Sequence, residues 1–139
     1  MALTLQDKWE LQELCARYAQ ALDHNDKAAF LEGFTDDAVF VLGPRRCEGH
    51  GELAAFFDGR QAQGPRSTRH FFSNLLLEPA GTGEATGLST WMSFVGTGEP
   101  PYSPATPFLV AEARDRYRLV QGRWRVAERL ISIVFRQAG

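Results

Sequence analysis

Apolar side chains in the first part of the chain recur at the spacing of an α-helix. Four residues share this stripe, at successive intervals of four, three and four: Leu11, Cys15, Tyr18 and Leu22. Such intervals place side chains on one face of a helix. Thr4 and Asp7 have the spacing of a capping box, in which each side chain bonds the backbone N–H of the other. The pattern therefore predicts an amphipathic helix over residues 5–22, ended by the polar run 23–26.

Shorter elements follow up to residue 66. The predicted order is a helix over 27–32, a strand over 38–42, a helix over 52–58 and a loop over 60–66. Asp26 has the side chain of an N-cap for the first of these helices, and Gly33 ends it. The dipeptide 43–44 (Gly-Pro) ends the strand, and Gly59 closes the last helix.

From residue 68 onward the apolar period changes from helical spacing to two. Four long strands are predicted, over 68–78, 84–95, 108–120 and 123–135. Gly122 marks a tight hairpin between the last two strands. The segment 96–107 contains four prolines and cannot be a helix or a central strand. Helices first and strands afterwards favour an α+β fold, in which a curved antiparallel sheet wraps around the long first helix and leaves a pocket at its open end.

Composition narrows the possible functions. Fifteen basic and seventeen acidic side chains give a formal net charge of -2, whereas a general nucleic-acid binder is normally basic. No apolar run reaches the length of a membrane span, and residues 1–7 show no secretory signal. Cys15 and Cys47 form neither a disulfide framework nor a zinc motif. We expect a single cytoplasmic domain over 1–139 with no metal, no cofactor, no nucleic acid and no membrane as partner.

The same composition favours an apolar ligand. Aromatic residues make up 12% of the chain, and a weak net charge fits an uncharged organic molecule. No Gly-rich phosphate loop and no Gly-x-Ser-x-Gly motif is present. Proton transfer without a cofactor is the chemistry that remains.

Asp23 and His70 are the first candidates for that chemistry. Asp23 lies at the C-terminal end of the predicted first helix, where the macrodipole is expected to raise the pKa of its carboxyl group. Alternation places His70 on one strand face with Phe72 and Asn74, where a neutral imidazole suits a general base. Taken alone, Asp23 is better explained as a solvated turn residue, and His70 as a core histidine bonded to the backbone.

Arg129 stands in the most apolar part of the last predicted strand. Burial of a guanidinium requires a carboxylate partner or an anionic ligand, and Glu128 and Asp115 are the partners that the sequence offers. Strict alternation groups Arg129 with Arg123 and Arg125, which have the pattern of a solvent-facing edge. Only a β-bulge between them would turn Arg129 inward.

Four further residues are expected to bind a substrate: Tyr18, Phe72, Asn74 and Trp91. Tyr18 lies on the apolar stripe of the first helix, and its hydroxyl needs a buried partner or a ligand. Asn74 is suited to orient a substrate oxygen or to hold His70. Phe72, with Trp91 or Met92, would line an apolar pocket.

Four segments in this order resemble the SnoaL-like branch of the NTF2-like superfamily. They are residues 18–23 followed by Asp26, residues 34–40, residues 68–74, and Tyr117 with residues 122–129. Proteins of that superfamily form a cone of curved sheet around three helices, with a deep pocket. Scytalone dehydratase and hexachlorocyclohexane dehydrochlorinase belong to it and use an aspartate to orient a histidine base. Asp23 and His70 fall on those two positions, and Arg129 falls on the pocket arginine of the dehydrochlorinase.

The resemblance implies a cofactor-independent lyase or isomerase that acts on a hydrophobic cyclic small molecule, with Asp23, His70 and Arg129 as catalytic residues. It also implies a homo-oligomer, either a dimer or a trimer. The sequence departs from scytalone dehydratase, because Leu22 and Ala113 replace its substrate-binding tyrosine and asparagine. The substrate and reaction of that enzyme are therefore not expected.

Two alternatives stay open. The first is a non-catalytic small-molecule-binding protein, or a structural protein like the small subunit of ring-hydroxylating dioxygenases. The second is chemistry like that of steroid isomerase, in which Asp23 itself is the base and His70 contributes little.

Overall fold

One long helix lies against a curved sheet of six strands. The computed structural model describes residues 2–103 and 105–137. The elements are α1 (Leu5–Asp23), α2 (Lys27–Glu32), β1 (Phe34–Leu42), β2 (Arg45–Glu48), α3 (Gly49–Gln61), β3 (Ser67–Pro79), β4 (Glu84–Gly96), β5 (Leu109–Val120) and β6 (Arg123–Arg136). This arrangement confirms the predicted α+β fold.

The strands are ordered β2-β1-β6-β5-β4-β3 in the sheet. The four long strands β3 to β6 pair antiparallel with one another in chain order. On its other side β6 pairs parallel with β1. Because β1 joins beside the last strand, the helices that flank it in sequence return over the concave face. The end of α1 thereby comes next to β3, at the edge of the sheet.

Both predicted N-caps are confirmed. The Thr4 hydroxyl accepts a bond from the backbone N–H of Asp7, and the Asp7 carboxylate accepts one from the backbone N–H of Thr4, each at 3.0 Å. Asp26 accepts a bond from the backbone N–H of Ala29 at 3.1 Å and starts α2. These bonds satisfy donors that a helix leaves free at its first turn.

The main differences from the predicted elements lie in β1, β2 and α3. Strand β1 begins at Phe34 rather than at residue 38, and β2 was not predicted, because its short edge segment buries only Cys47. Helix α3 runs through Gly59 instead of ending there. Its buried face, Leu53 and Phe57, holds the helix, and nothing packs close to Gly59.

A register shift in β3 changes which side chains face the core. The pairing of β3 with β4 shifts between Ser73 and Leu76, and Asn74 adopts a φ of 56°. Beyond the shift Leu75 and Leu77 pack against the core, while Asn74 and Leu76 are exposed. The prediction that Asn74 shares a face with His70 and Phe72 is therefore wrong.

A second register shift turns Arg129 into the core. Arg116 pairs with Glu128 and Tyr117 pairs with Val126, which leaves Ala127 as the extra residue of a bulge. The alternation of β6 reverses at that point. Arg129 is consequently fully buried, although Arg123, the first residue of the same strand, is exposed.

Two other expectations can be compared with the structure. Cys15 and Cys47 are buried free thiols, and no helix in the described residues is long and apolar enough to cross a membrane. At the end of β6, Val134 and Phe135 expose large apolar side chains. An oligomer that uses this segment stays a prediction.

Candidate functional site

The C-terminus of α1 and the start of β3 bring Asp23 and His70 together. The Nδ1 atom of His70 lies 2.6 Å from the Oδ1 atom of Asp23, and the backbone N–H of His70 donates to Oδ2 at 3.0 Å. The Thr68 hydroxyl donates to Oδ1 at 3.1 Å. Two residues of one strand thus hold both oxygens of a carboxylate that comes from the helix.

The pKa of Asp23 is lowered, not raised as the helix dipole suggested. Burial raises the pKa of this carboxyl, but the bonds from the ring and the backbone N–H of His70, together with the Thr68 hydroxyl, outweigh that effect. Hydrogen bonds to the charged form of an acid favour that form. Asp23 is therefore a carboxylate at neutral pH, and the expected dipole effect is overridden by direct donors.

This contact fixes which ring nitrogen of His70 carries a proton. An ionised carboxylate only accepts hydrogen bonds, so Nδ1 of His70 carries the proton in the bond to Asp23. In the neutral ring, Nε2 then has a free lone pair. No side chain among residues 2–103 and 105–137 bonds Nε2, and 19% of the His70 side chain is exposed. His70 is thus arranged as a general base that the Asp23 carboxylate holds in place.

Arg129 is bound to Asp115, one of the two partners that the sequence offered. Its Nε and Nη2 atoms each lie 2.9 Å from a different oxygen of Asp115, and both side chains are 0% exposed. Burial disfavours the charge of Arg129, but the carboxylate beside it outweighs burial and raises the pKa of the guanidinium. The pair is therefore ionised and inside the core.

Three neighbours complete this buried cluster. The Tyr117 hydroxyl donates to Asp115 at 2.6 Å, and Nη2 of Arg129 lies 3.5 Å from the sulfur of Cys15. The pKa values of Cys15 and Tyr117 are raised, chiefly by burial. Both groups stay protonated and act as hydrogen-bonding partners. Of the three guanidinium nitrogens of Arg129, only Nη1 has no partner in the described residues.

The expected aromatic residues pack on this cluster. The guanidinium of Arg129 lies 4.3 Å from the ring centre of Tyr18 and 5.2 Å from that of Trp91. Trp91 stacks on Phe72 with ring centres 5.1 Å apart, and its indole N–H donates to Ser89. Trp91 rather than Met92 therefore lies on the inner face of β4. Tyr18, Phe72 and Trp91 are brought together, while Asn74 is not part of the group.

Two cavities adjoin this region. The larger, about 770 Å³, lies between α1, α2 and the β5–β6 hairpin and is bordered by Tyr18. The smaller, about 350 Å³, is bordered by Asp23, Thr68, Arg60 and Arg66. Neither cavity is lined by His70. The acid of the pair thus faces the smaller, more polar space.

Sequence reasoning missed Thr68, Arg60 and Arg66. Thr68 precedes His70 by two residues, so alternation places both on one face of β3, and this spacing was the available signal. Arg60 lies in the last turn of α3, and Arg66 lies in the following loop. No pattern in the chain links these two arginines to residue 23. Among residues 2–103 and 105–137 there is no cluster of side chains suited to hold a metal ion.

Comparisons with known proteins give the same fold. A family profile described as a SnoaL-like domain matches residues 3–130, and no curated protein sequence matches the chain. A protein of unknown function with a cystatin-like fold from Nostoc punctiforme is 27% identical, with a TM-score of 0.83, and the alignment covers 96% of each chain.

Two more distant structures are similar in fold. A candidate scytalone dehydratase from Novosphingobium aromaticivorans is 19% identical, with a TM-score of 0.81 over 94% of this chain and 86% of that one. The protein ActVI-ORFA from Streptomyces coelicolor is 18% identical, with a TM-score of 0.80 over 91% of this chain and 96% of that one. At these identities the likeness concerns the fold alone.

Proposed function

The chain belongs to the SnoaL-like domain family, and from this membership and the geometry at His70 we propose that it is a lyase or isomerase that needs no cofactor. Its substrate is a cyclic organic molecule from whose carbon a proton is removed. The observation that supports the proposal is the 2.6 Å contact of His70 Nδ1 with Asp23, which leaves Nε2 as a base. Proteins that share one fold can catalyse different reactions, so the proposed reaction class depends on the pair of Asp23 and His70.

In the proposed reaction, Nε2 of His70 takes a proton from a carbon that is next to a carbonyl group or next to the carbon that carries a leaving group. In an elimination, the electron pair of the C–H bond becomes the new double bond as the leaving group departs with its electrons. In an isomerisation, the proton returns to another carbon of the enolate. Asp23 stabilises the imidazolium in either case, since its carboxylate remains ionised.

Arg129 and Tyr18 have supporting roles in this proposal. Nη1 of Arg129 has no partner in the described residues, and we assign it to a developing oxyanion or leaving group. The Tyr18 ring lies over the guanidinium, so a substrate must displace this ring to reach Nη1. Phe72 and Trp91 would contact the apolar body of the substrate.

The test removes the base and its partner separately. Cyclic β-hydroxy ketones and β,γ-unsaturated cyclic ketones are incubated in D2O, and mass spectrometry follows elimination and deuterium uptake. His70→Ala is expected to lower the rate by about 10²- to 10⁴-fold, and Asp23→Asn to lower it as well. His24→Ala is the control, because His24 is an exposed histidine next to Asp23.

Two results would contradict the proposal. Full turnover by both variants would exclude a role for the pair. A mild loss in His70→Ala with a severe loss in Asp23→Asn would assign the base to Asp23, as in the steroid isomerase alternative.

A non-catalytic binding protein is the second candidate function. The observation that favours it is that the cavity of about 770 Å³ is lined by neither Asp23 nor His70. Native mass spectrometry of the purified protein checks this candidate: a retained small molecule, with no deuterium uptake in any assay, supports binding without catalysis.

A further inference from the structure

The cavity of about 350 Å³ next to Asp23 is bordered by two arginines. Arg60 comes from the last turn of α3, and Arg66 comes from the loop that leads into β3. Both side chains are partly buried. Two positive charges from different elements therefore face one small, polar space beside the Asp23–His70 pair.

Neither arginine has a carboxylate partner in the described part of the chain. Six other arginines lie within 4.0 Å of a carboxylate oxygen: Arg17, Arg46, Arg114, Arg118, Arg123 and Arg129. No such contact exists for Arg60 or Arg66 among residues 2–103 and 105–137. Asp23 borders the same cavity, but its oxygens are bonded to His70 and Thr68.

The two charges interact with each other. Burial lowers the pKa of Arg60 and the positive charge of Arg66 lowers it further, while the smaller effects of Tyr18 and Asp23 raise it. A concave site lined by like charges with low-dielectric walls concentrates ligands of the opposite charge. An anion placed between the guanidinium groups would remove this repulsion.

Helix α3 accounts for only part of this arrangement. A cation in the last turn of a helix is favourable by itself because of the helix dipole, and this explains Arg60. It does not explain why Arg66, on a separate loop, borders the same cavity. Asp23 is ionised close by and repels a dianion more than a monoanion, so the site favours a singly charged group.

We propose that Arg60 and Arg66 form a subsite for a carboxylate group, and that the substrate of the Asp23–His70 pair is a cyclic organic acid. This inference rests on the proposed function, because it places the anion beside Asp23, the aspartate that holds the proposed base. It differs from the uncharged ligand that the net charge of -2 suggested. Net charge describes the whole chain and does not detect two arginines gathered at one cavity.

Binding of benzoate and of its uncharged analogue benzamide tests the subsite. Both are titrated into ¹⁵N-labelled protein, and the amide chemical shifts of residues 60–68 are followed. Benzoate is expected to bind more tightly than benzamide. Arg60→Gln and Arg66→Gln are each expected to weaken benzoate binding about tenfold, the value of one charge-assisted hydrogen bond. Neither variant is expected to change benzamide binding.

Two controls accompany these variants. Arg114→Gln removes an exposed guanidinium that is paired with Glu112 on β5, and benzoate should bind it as it binds the wild type. Arg66→Lys keeps the charge and should keep most of the preference for benzoate. Equal shifts with benzoate and benzamide, no benzoate shifts in residues 60–68, or undiminished binding in both glutamine variants would each overturn the subsite.

The experiment separates this inference from the proposed function. Benzoate binding to His70→Ala that equals wild-type binding, together with a lack of turnover by the wild type, would keep the subsite and remove the catalytic proposal. Turnover of uncharged ketones without benzoate binding would do the reverse.

Discussion

Two aspartates of the protein are each paired with a nitrogen-containing side chain, one pair at the edge of the sheet and the other in the core. In the first pair, His70 lies at the edge of the sheet with 19% of its side chain exposed, and Asp23 borders a cavity. In the second, Arg129 and Asp115 are both 0% exposed. Each of the two carboxylates accepts three hydrogen bonds. The difference is that the His70 side chain is partly exposed and its Nε2 has no side-chain partner in the described residues.

This comparison separates chemistry from support. The Arg129–Asp115 pair joins β5 to β6, and through Cys15 and the Tyr18 ring it joins the sheet to α1. Two ionised groups in the core must be paired, because an unpaired buried charge is costly. The pair thereby fixes the position of α1, whose last residue is Asp23. In the proposed reaction the partly exposed pair moves the proton, while the buried pair holds α1 in place and leaves Nη1 of Arg129 unpaired in the described residues.

Asp115→Asn is expected to have the largest effect on stability. It leaves the Arg129 guanidinium without its counter-ion in the core, at an expected cost of about 3 to 5 kcal/mol in the free energy of unfolding. Urea denaturation followed by circular dichroism measures this loss. Glu112→Gln breaks the exposed pair with Arg114 and should cost at most about 1 kcal/mol. Equal losses in the two variants would show that burial does not distinguish the pairs.

Asp23→Asn is expected to cost less, about 2 kcal/mol at neutral pH, because hydrogen bonds to a charged group are lost. The loss depends on pH in a defined direction. The pKa of Asp23 in the folded protein lies below its ordinary value of 3.8, so the ionised carboxyl stabilises the fold above that value. This stabilisation disappears as the pH falls through the folded pKa.

The pH dependence is measured by urea denaturation of both proteins between pH 7 and pH 3. The gap in unfolding free energy between wild type and Asp23→Asn should be full near neutral pH and should narrow below about pH 4. A gap that widens toward acid pH would mean that the carboxyl is not stabilised in its ionised form.

Tyr117→Phe sharpens the comparison within the buried cluster. It removes the 2.6 Å bond to Asp115 but leaves the ion pair intact, so we expect a loss of about 1.5 kcal/mol in unfolding free energy. Tyr102→Phe is the matched control, since the Tyr102 hydroxyl bonds the uncharged Ser67 hydroxyl at 2.8 Å. A smaller loss in Tyr117→Phe than in Tyr102→Phe would argue against the charged network.

The sequence determined the elements better than the faces of the strands. Periods of 3.6 and two identified α1 and the four long strands, because burial on one side imposes those periods. Register shifts at Asn74 and at Ala127 then reversed the alternation near the candidate site. Asn tolerates the positive φ that it adopts here, but this tolerance alone does not predict a bulge. At Ala127 the only indication was the cost of leaving Arg129 in an apolar strand.

The contact between Asp23 and His70 agrees with the sequence analysis, whereas the cavity next to Asp23 was not predicted. Asp23 and His70 were selected from helix position, strand pattern and family resemblance. The partner of Arg129 was narrowed to two acids, and the register of β5 with β6 selects Asp115. The cavity with Arg60 and Arg66 depends on how the end of α3 and the next loop approach α1. Tertiary packing alone determines that approach, and no short-range pattern reports it.

Thr68→Val is the smallest change and tests how Asp23 is held. Valine has nearly the shape of threonine but cannot donate, so Oδ1 of Asp23 loses a 3.1 Å bond and keeps the bond from His70. We expect a loss of about 1 kcal/mol in unfolding free energy and a pKa of Asp23 closer to its ordinary value, because one of the donors that lower it is gone. Carbon-13 NMR of the carboxyl group measures the pKa directly. Thr90→Val, an exposed position on β4, should change neither quantity.

Turnover of Thr68→Val should fall less than that of His70→Ala, since the imidazole stays oriented by Asp23. A loss as large as that of His70→Ala would mean that Thr68, rather than the aspartate alone, orients the base.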